Sequence, residues 1–192
     1  MGKKVLQIYD DKCEAQVISS GIEAAGYTLI TMVGTRDDLR ILSQAACPDV
    51  IVFSVKQPDA YLLDQVKNIS AAHPCPMVMF AGKSTDQLTR EAINSGVSAL
   101  IVDGFRSERL KSILSLAIAR FEEMQGLKAK LFETQRALSE RRIIDRAKGI
   151  LMEQNGVTED QAYKKLRSMA ASEKMKVAEV AKRLIILHSN TV

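Results

Sequence analysis

The N-terminal part of the chain alternates short apolar runs with amphipathic stretches. The apolar runs predict strands at 5–9, 28–33, 50–53, 77–80 and 99–102. The amphipathic stretches predict helices at 12–25, 36–46, 59–72 and 85–95, with Gly26, Pro48 and Gly96 as the stop signals. Residues 50–53 are all apolar, which is typical of a strand buried on both faces. Strands that alternate with helices predict a five-stranded, parallel, doubly wound sheet of the flavodoxin-like α/β class.

The pattern changes after Ser107, where strand signals stop. From there to Asn155 the chain has no proline, and this predicts one helix of about 49 residues, roughly 70 Å long. Thr158 and Gln161 fit a capping box, and they open a helix whose buried face is read as Tyr163, Leu166 and Met169 or Ala170. A last helix is predicted over 177–187.

A weak coiled-coil seam lies in the middle of the long helix. Met124, Leu131 and Leu138 recur every seven residues, as in a zipper. The alternate seam positions are polar: Lys128, Gln135 and Arg142. The seam predicts a homodimer contact, and the alternative is a lone helix that packs back on its own domain.

These patterns divide the chain into an α/β domain at 1–121, a helical coiled-coil linker at 122–138 and a three-helix bundle at 139–192. The first helix of the bundle continues from the linker. Gly149 lies inside that helix, at a cost near 1 kcal/mol against alanine, and predicts a close approach of another helix.

Composition then excludes several classes. The chain has 192 residues, 46% of them hydrophobic, and no run approaches the roughly 18 apolar residues of a membrane span. Asp10 and Asp11 interrupt any signal-peptide core, so we expect a soluble cytoplasmic protein. Neither a phosphate-binding glycine loop nor a nucleophile–base pair supports an enzyme.

The cysteines and histidines do not form a recognisable metal or redox spacing. Cys13, Cys47 and Cys75 are far apart and are predicted to be buried small hydrophobes. His73 and His188 are predicted to be surface or cap residues. A zinc site, a disulfide scaffold and a Cys–His hydrolase are therefore disfavoured.

The charge is unevenly distributed. Residues 1–121 hold 13 Lys and Arg against 13 Asp and Glu, whereas residues 122–192 hold 14 against 10, which is the whole net charge of +4. An excess in the last third favours an acidic partner such as nucleic acid, and the alternative is a solvated basic helix face.

The predicted sheet edge resembles that of a two-component receiver domain. Asp10 and Asp11 end the first strand, where that family holds Mg²⁺. The resemblance places Ser54 at the phospho-acceptor position, Ala81 where a hydroxyl belongs and Asp103 where a lysine belongs. A serine cannot form an acyl phosphate, which implies a pseudo-receiver. The acid pair then either keeps a weak Mg²⁺ site or caps the following helix.

The C-terminal third resembles the ANTAR domain, the RNA-binding module of bacterial transcription antiterminators. The matching residues are Ala-Lys-Gly-Ile-Leu-Met at 147–152, Gly156, Ala-Tyr at 162–163, Leu-Arg at 166–167, Ala170 and Glu-Val-Ala at 179–181. The RNA-binding candidates are Arg141, Arg142, Arg146, Lys148, Tyr163, Lys164, Lys165 and Arg167. Lys148 is the leading contact, and Tyr163 is either a stacking platform for a base or a core residue.

The resemblance implies a function without catalysis. ANTAR proteins bind paired stem-loops in nascent leader RNA and prevent terminator formation, which suits a dimer. Segments 102–104, 117–121 and 144–152 also resemble the nitrate-responsive branch, which implies an inhibitory sensor similar to a periplasmic nitrate-binding protein. The amide-responsive branch, an atypical DNA-binding response regulator and a pure dimerisation adaptor remain alternatives.

Overall fold

The computed structural model describes residues 2–103 and 105–189, except for the side chains of Cys13 and Ser189. Met1, Gly104 at the end of the 102–104 segment, and residues 190–192 of the predicted bundle lie outside the described residues. Within these ranges, no helix combines the length and the apolar character that a membrane span requires.

The chain forms two compact units, Met1–Gln125 and Gly126–Val192. The strands are β1 (Lys4–Tyr9), β2 (Thr28–Gly34), β3 (Val50–Val55), β4 (Met77–Ala81) and β5 (Ala99–Val102). The helices are α1 (Lys12–Ala24), α2 (Leu39–Ala46), α3 (Ala60–Ala72), α4 (Asp86–Ser95), α5 (Ser107–Asn155), α6 (Glu159–Glu173) and α7 (Val177–Ser189).

The first unit is built on a five-stranded sheet in the order β2-β1-β3-β4-β5, and every pairing is parallel. Strand side chains alternate between two cores. Leu6, Ile51 and Phe53 pack with apolar residues of α2, α3 and α4, while Val5 and Val52 pack with those of α1 and the start of α5. The predicted parallel, doubly wound class is confirmed.

One helix starts later than the pattern predicts. We expect a helix from residue 36, whereas α2 begins at Leu39. The Asp38 side chain accepts the Ile41 N–H at 3.1 Å and caps the helix there. Asp37 is held in a turn instead, because its carboxylate accepts the Gly34 N–H at 2.8 Å.

The second unit is a small helical bundle. Its core consists of Ala147 and Leu151 on α5, Ala162, Leu166 and Ala170 on α6, and Val180 and Ala181 on α7. The predicted capping box is present, because the Gln161 N–H donates to Thr158 Oγ1 at 3.4 Å and the Thr158 N–H donates to Gln161 Oε1 at 3.0 Å. Alanines at four of these positions let the helices approach closely.

The cysteines and histidines divide into confirmed and wrong predictions. Cys75 is buried, which raises the pKa of its thiol to about 12, so it behaves as a hydrophobe. Cys47 is exposed, contrary to prediction, since it caps the end of α2 in the left-handed conformation at φ 43°. His73 caps α3, as predicted.

Candidate nucleic-acid interface

The residues predicted at the sheet edge of the first unit do come together. The Asp10 N–H donates to the Ser54 carbonyl at 3.2 Å, and the Asp103 N–H donates to the Ala81 carbonyl at 3.0 Å. Ser54 is only 3% exposed. Ser54, which the receiver resemblance places at the phospho-acceptor position, is thus a buried hydroxyl at the end of β3, and a hydroxyl cannot form an acyl phosphate.

Lys56, which the sequence analysis did not identify, contacts both carboxylates of the acid pair Asp10 and Asp11. The Lys56 ammonium lies 2.9 Å from Asp11 Oδ2, and the Lys56 backbone N–H donates to Asp10 Oδ2 at 2.7 Å. The hydrogen bond to Asp11 raises the pKa of Lys56. In the sequence, only the position of Lys56, two residues after Ser54, could have indicated that it lies near the acid pair.

The two alternatives for the acid pair have different support. Asp11 Oδ1 accepts the Glu14 N–H at 3.4 Å, as the capping alternative requires. Among the described residues no group of three or more His, Cys, Asp and Glu side chains is arranged to hold a metal ion. The Mg²⁺ site at Asp10 and Asp11 stays a prediction.

A cavity of about 250 Å³ lies beside Ser54 in this unit. Its lining is mostly apolar and includes Phe80 and Phe105, whose rings pack edge to face with centroids 5.4 Å apart. Asp103 contributes a carboxylate where the receiver family has a lysine. The surroundings of Ser54 therefore disfavour a phosphoryl group.

The second unit carries a groove of about 660 Å³ between α5 and α6. Its lining combines charged, aromatic and apolar side chains: Ala137, Glu140, Arg141, Ile144, Asp145, Lys148, Gly149, Met152, Glu159 and Tyr163. Three of the eight predicted RNA-binding residues, Arg141, Lys148 and Tyr163, thus share one surface feature.

Lys148 is held by two carboxylates at this groove. Its ammonium lies 2.6 Å from Asp145 Oδ1 and 2.7 Å from Glu159 Oε1, and its side chain is 15% exposed. The hydrogen bonds to Asp145 and Glu159 raise the pKa of Lys148, and the bond from Lys148 lowers the pKa of Asp145. A phosphate would have to compete with both carboxylates for Lys148.

Tyr163 and Gly149 differ from their expected packing. Tyr163 is 42% exposed, because the buried stripe of α6 passes through Ala162, Leu166 and Ala170 and leaves Tyr163 to one side. The prediction that Gly149 marks a close helix approach is wrong. A Cβ added there would meet no atom within 4 Å beyond its own helix.

The other predicted cations surround these helices. Arg142, Arg146, Lys164 and Arg167 are exposed, and none makes an ion pair within the described ranges. Arg141 lies 3.9 Å from Asp145, and the Lys165 ammonium donates to the Asn155 side chain at 3.2 Å. Four cations therefore remain available to a polyanion.

The predicted seam residues Met124, Leu131 and Leu138 are all exposed on α5. Leu127 and Phe132, which the seam analysis missed, are exposed as well. Leu127 follows Met124 by three residues and precedes Leu131 by four, so these apolar residues share one face of α5 without Lys128.

Comparison with known proteins identifies relatives of this chain. Residues 133–185 match the ANTAR domain family. The chain is 25% identical over 179 residues to the transcriptional regulatory protein PdtaR of Mycobacterium tuberculosis, which covers 93% of this chain and 87% of PdtaR. It is 36% identical over 75 residues to the nitrate regulatory protein of Klebsiella oxytoca, which covers 39% of this chain and 19% of that protein.

The first unit is similar to a solved receiver-like structure, the chemotaxis protein CheY4 of Vibrio cholerae. The TM-score is 0.52 at 24% identity, over 60% of this chain and 98% of that chain. This likeness concerns the fold alone. Together these matches confirm the ANTAR resemblance of the C-terminal third and the receiver-like fold of the first unit, and both relatives are named as regulatory proteins.

Proposed function

We propose that this chain, which joins a receiver-like domain to an ANTAR domain, is an RNA-binding transcription antiterminator. The supporting observation is the surface of the second unit, where exposed Arg142, Arg146, Lys164 and Arg167 accompany a groove with a half-exposed tyrosine. Cations bind the phosphates, and the aromatic ring offers a stacking surface for an unpaired base. RNA bound in this way prevents formation of an overlapping terminator.

The proposed target is a pair of stem-loops in leader RNA, held by a homodimer. The apolar stripe of α5, with Met124, Leu131 and Leu138, is the proposed dimer contact. Two linked modules bind two linked hairpins with avidity, because the second contact is made at high effective concentration.

Control of the protein is proposed not to use aspartyl phosphate. The resemblance places buried Ser54 at the acceptor position, and Lys56 contacts both carboxylates of the acid pair, Asp11 through its ammonium and Asp10 through its backbone N–H. We propose control by an inhibitory sensor instead. The match to a nitrate regulatory protein and the residues at 144–152 favour the nitrate-responsive, NasT-like type over the amide-responsive, AmiR-like type.

The binding experiment uses the full chain with an RNA that carries two stem-loops ahead of a terminator. We expect saturable binding that weakens steeply with added salt, and much weaker binding to duplex DNA of equal length. Equal affinity for duplex DNA would favour a DNA-binding response regulator. Absence of RNA binding at low salt would leave a dimerisation adaptor.

The control experiment adds the sensor protein to a transcription reaction that contains the chain and a template encoding this leader. Read-through is expected to fall when the sensor is added without nitrate and to recover when nitrate is supplied. Recovery with an aliphatic amide instead would assign the chain to the amide-responsive type. Read-through that does not change with sensor or effector would remove the sensor from the proposal.

A separate experiment tests control by phosphorylation. After incubation with acetyl phosphate and Mg²⁺, the intact mass of the chain is expected to be unchanged.

A further inference from the structure

The cavity in the first unit is lined by a buried hydroxyl group. Ser54, which is only 3% exposed, contributes its side chain to this space of about 250 Å³. In the parts of the chain that the structure describes, the Ser54 hydroxyl makes no hydrogen bond to another residue. Burial of a hydroxyl without a partner is unfavourable, so a molecule that forms a hydrogen bond to it inside the cavity gains from doing so.

The walls of the cavity are mostly apolar. They come from α1 and from the carboxyl ends of β3, β4 and β5, and they include Ile18, Val55, Phe80, Ile101 and Phe105. Water finds few hydrogen-bond partners on such walls, so an apolar group displaces it readily. The volume lies below the roughly 300 Å³ of the smallest pockets for drug-sized molecules, which points to a ligand with a single ring and a short tail.

Two exposed carboxylates add negative charge to the lining. Glu14 and Asp103 both line the cavity, and neither has a cation within 4 Å among the described residues. The charge of Glu14 also acts on Lys56, but the Lys56 ammonium lies 2.9 Å from Asp11 Oδ2 and does not line the cavity. The lining therefore attracts a cation and repels an anion.

We propose that this cavity binds a small primary amine with an apolar, single-ring body. Glu14 and Asp103 hold the ammonium group, the ring lies beside Phe80 and Phe105, and Ser54 offers a further hydrogen bond. A free amino acid is a poor ligand, because its carboxylate would meet the two acids without a cation in the lining. This site lies in the first unit and does not depend on RNA binding by the second.

The first test titrates the full chain with phenethylamine in a calorimeter. One-to-one binding is expected at about 0.1–1 mM, as suits so small a ligand. Phenethyl alcohol, which lacks the charge, should bind at least about fivefold more weakly, and hydrocinnamate, which reverses it, should not bind measurably. Methylammonium lacks the ring and should not bind measurably either. A chain that does not bind phenethylamine, or that binds any of the other three equally well, would overturn the proposal.

The second test removes the two charges. In Asp103→Asn the backbone is retained, because Asp103 has φ 45° and asparagine tolerates the left-handed region. Together with Glu14→Gln, this change should weaken phenethylamine binding by at least about tenfold. Glu23→Gln with Glu123→Gln is the matched control, since both acids are exposed in the same unit and neither lines the cavity. Equal affinities of the two double variants would contradict the assignment.

The third test locates the ligand without any substitution. In methyl NMR spectra of the wild-type chain, phenethylamine should shift the signals of Ile18 and Ile101, which line the cavity. The signal of Ile144, which lines the groove of the second unit together with other carboxylates, should stay in place. Shifts at Ile144 instead, or at none of the three residues, would overturn the site.

Discussion

Each unit of this protein pairs a lysine with carboxylates, and the surroundings of the two pairs differ. In the first unit, the Lys56 ammonium lies 2.9 Å from Asp11 Oδ2, at the acid pair that follows β1. In the second unit, Lys148 binds Asp145 and Glu159 at 2.6 and 2.7 Å, and the pairs border an open groove with an exposed tyrosine and arginines nearby. The same pairing thus lies at an acid pair at the end of β1 in one unit and in the lining of a groove in the other. The functional role of an ion pair therefore depends on the groups around it, and the presence of the pair alone does not indicate that role.

The largest expected effect comes from the apolar stripe. Leu131→Glu puts a charge at an exposed seam position, so a homodimer should dissociate without loss of folding. Affinity for RNA with two stem-loops should fall by about 100-fold, while affinity for a single stem-loop stays unchanged. Light scattering and fluorescence anisotropy measure the two quantities. Lys130→Glu, at another exposed position of α5, is the control. A Leu131→Glu variant that keeps the wild-type mass would exclude this contact.

The next effect tests whether binding resides in the second unit. Arg142→Ala with Arg146→Ala removes two exposed cations and should lower RNA affinity by about 30-fold. The slope of the logarithm of the binding constant against the logarithm of salt concentration should become shallower by about two. The matched pair is Arg40→Ala with Arg90→Ala, two exposed arginines of the first unit. Equal losses in both double variants would mean that the two units do not differ as RNA-binding surfaces.

A smaller effect is expected when each of the two lysines, Lys148 and Lys56, is replaced by methionine. Lys148→Met should lower RNA affinity by about tenfold, because Asp145 and Glu159 are left without their cation at the groove. Lys56→Met should leave RNA affinity unchanged, and the freed acid pair should let Mg²⁺ raise the melting temperature of that variant. If Mg²⁺ stabilises the wild type as much as Lys56→Met, Lys56 does not close the site.

The smallest effect concerns pH. The pKa of Asp145 is lowered by its bond from Lys148, so the stability that it adds is present above the ordinary aspartate value and is lost as pH falls through the lowered one. The pKa of Lys148 is raised, so its contribution is lost only as pH rises through that raised value. The contribution of this pair to RNA affinity and melting temperature should thus be flat around neutral pH, and the difference between wild type and Asp145→Asn should shrink only in acid or in strong base. A step near neutral pH would contradict this assignment.

The residue pattern predicts the fold well and the site less completely. Strands such as Val50–Val55 follow from their apolar runs, and α5 follows from a stretch without proline or strand signals; both are local properties of the sequence. The capping box at Thr158 is local as well.

The missed features depend on tertiary placement. Lys56 reaches Asp10 and Asp11 across 46 and 45 positions of the chain, a contact that no periodicity encodes. Tyr163 lies next to the buried stripe of α6, and a shift of one residue decides whether it is core or surface. The space above Gly149 exists only once α5 and α6 are packed.

The most direct test of the central claim is single-round transcription through a leader that contains the paired stem-loops and a terminator. The purified wild-type chain should raise read-through, and the Arg142→Ala, Arg146→Ala variant should leave it at the level seen without protein. Read-through that does not respond to the wild-type chain at low salt, with no inhibitory sensor present, would contradict the account.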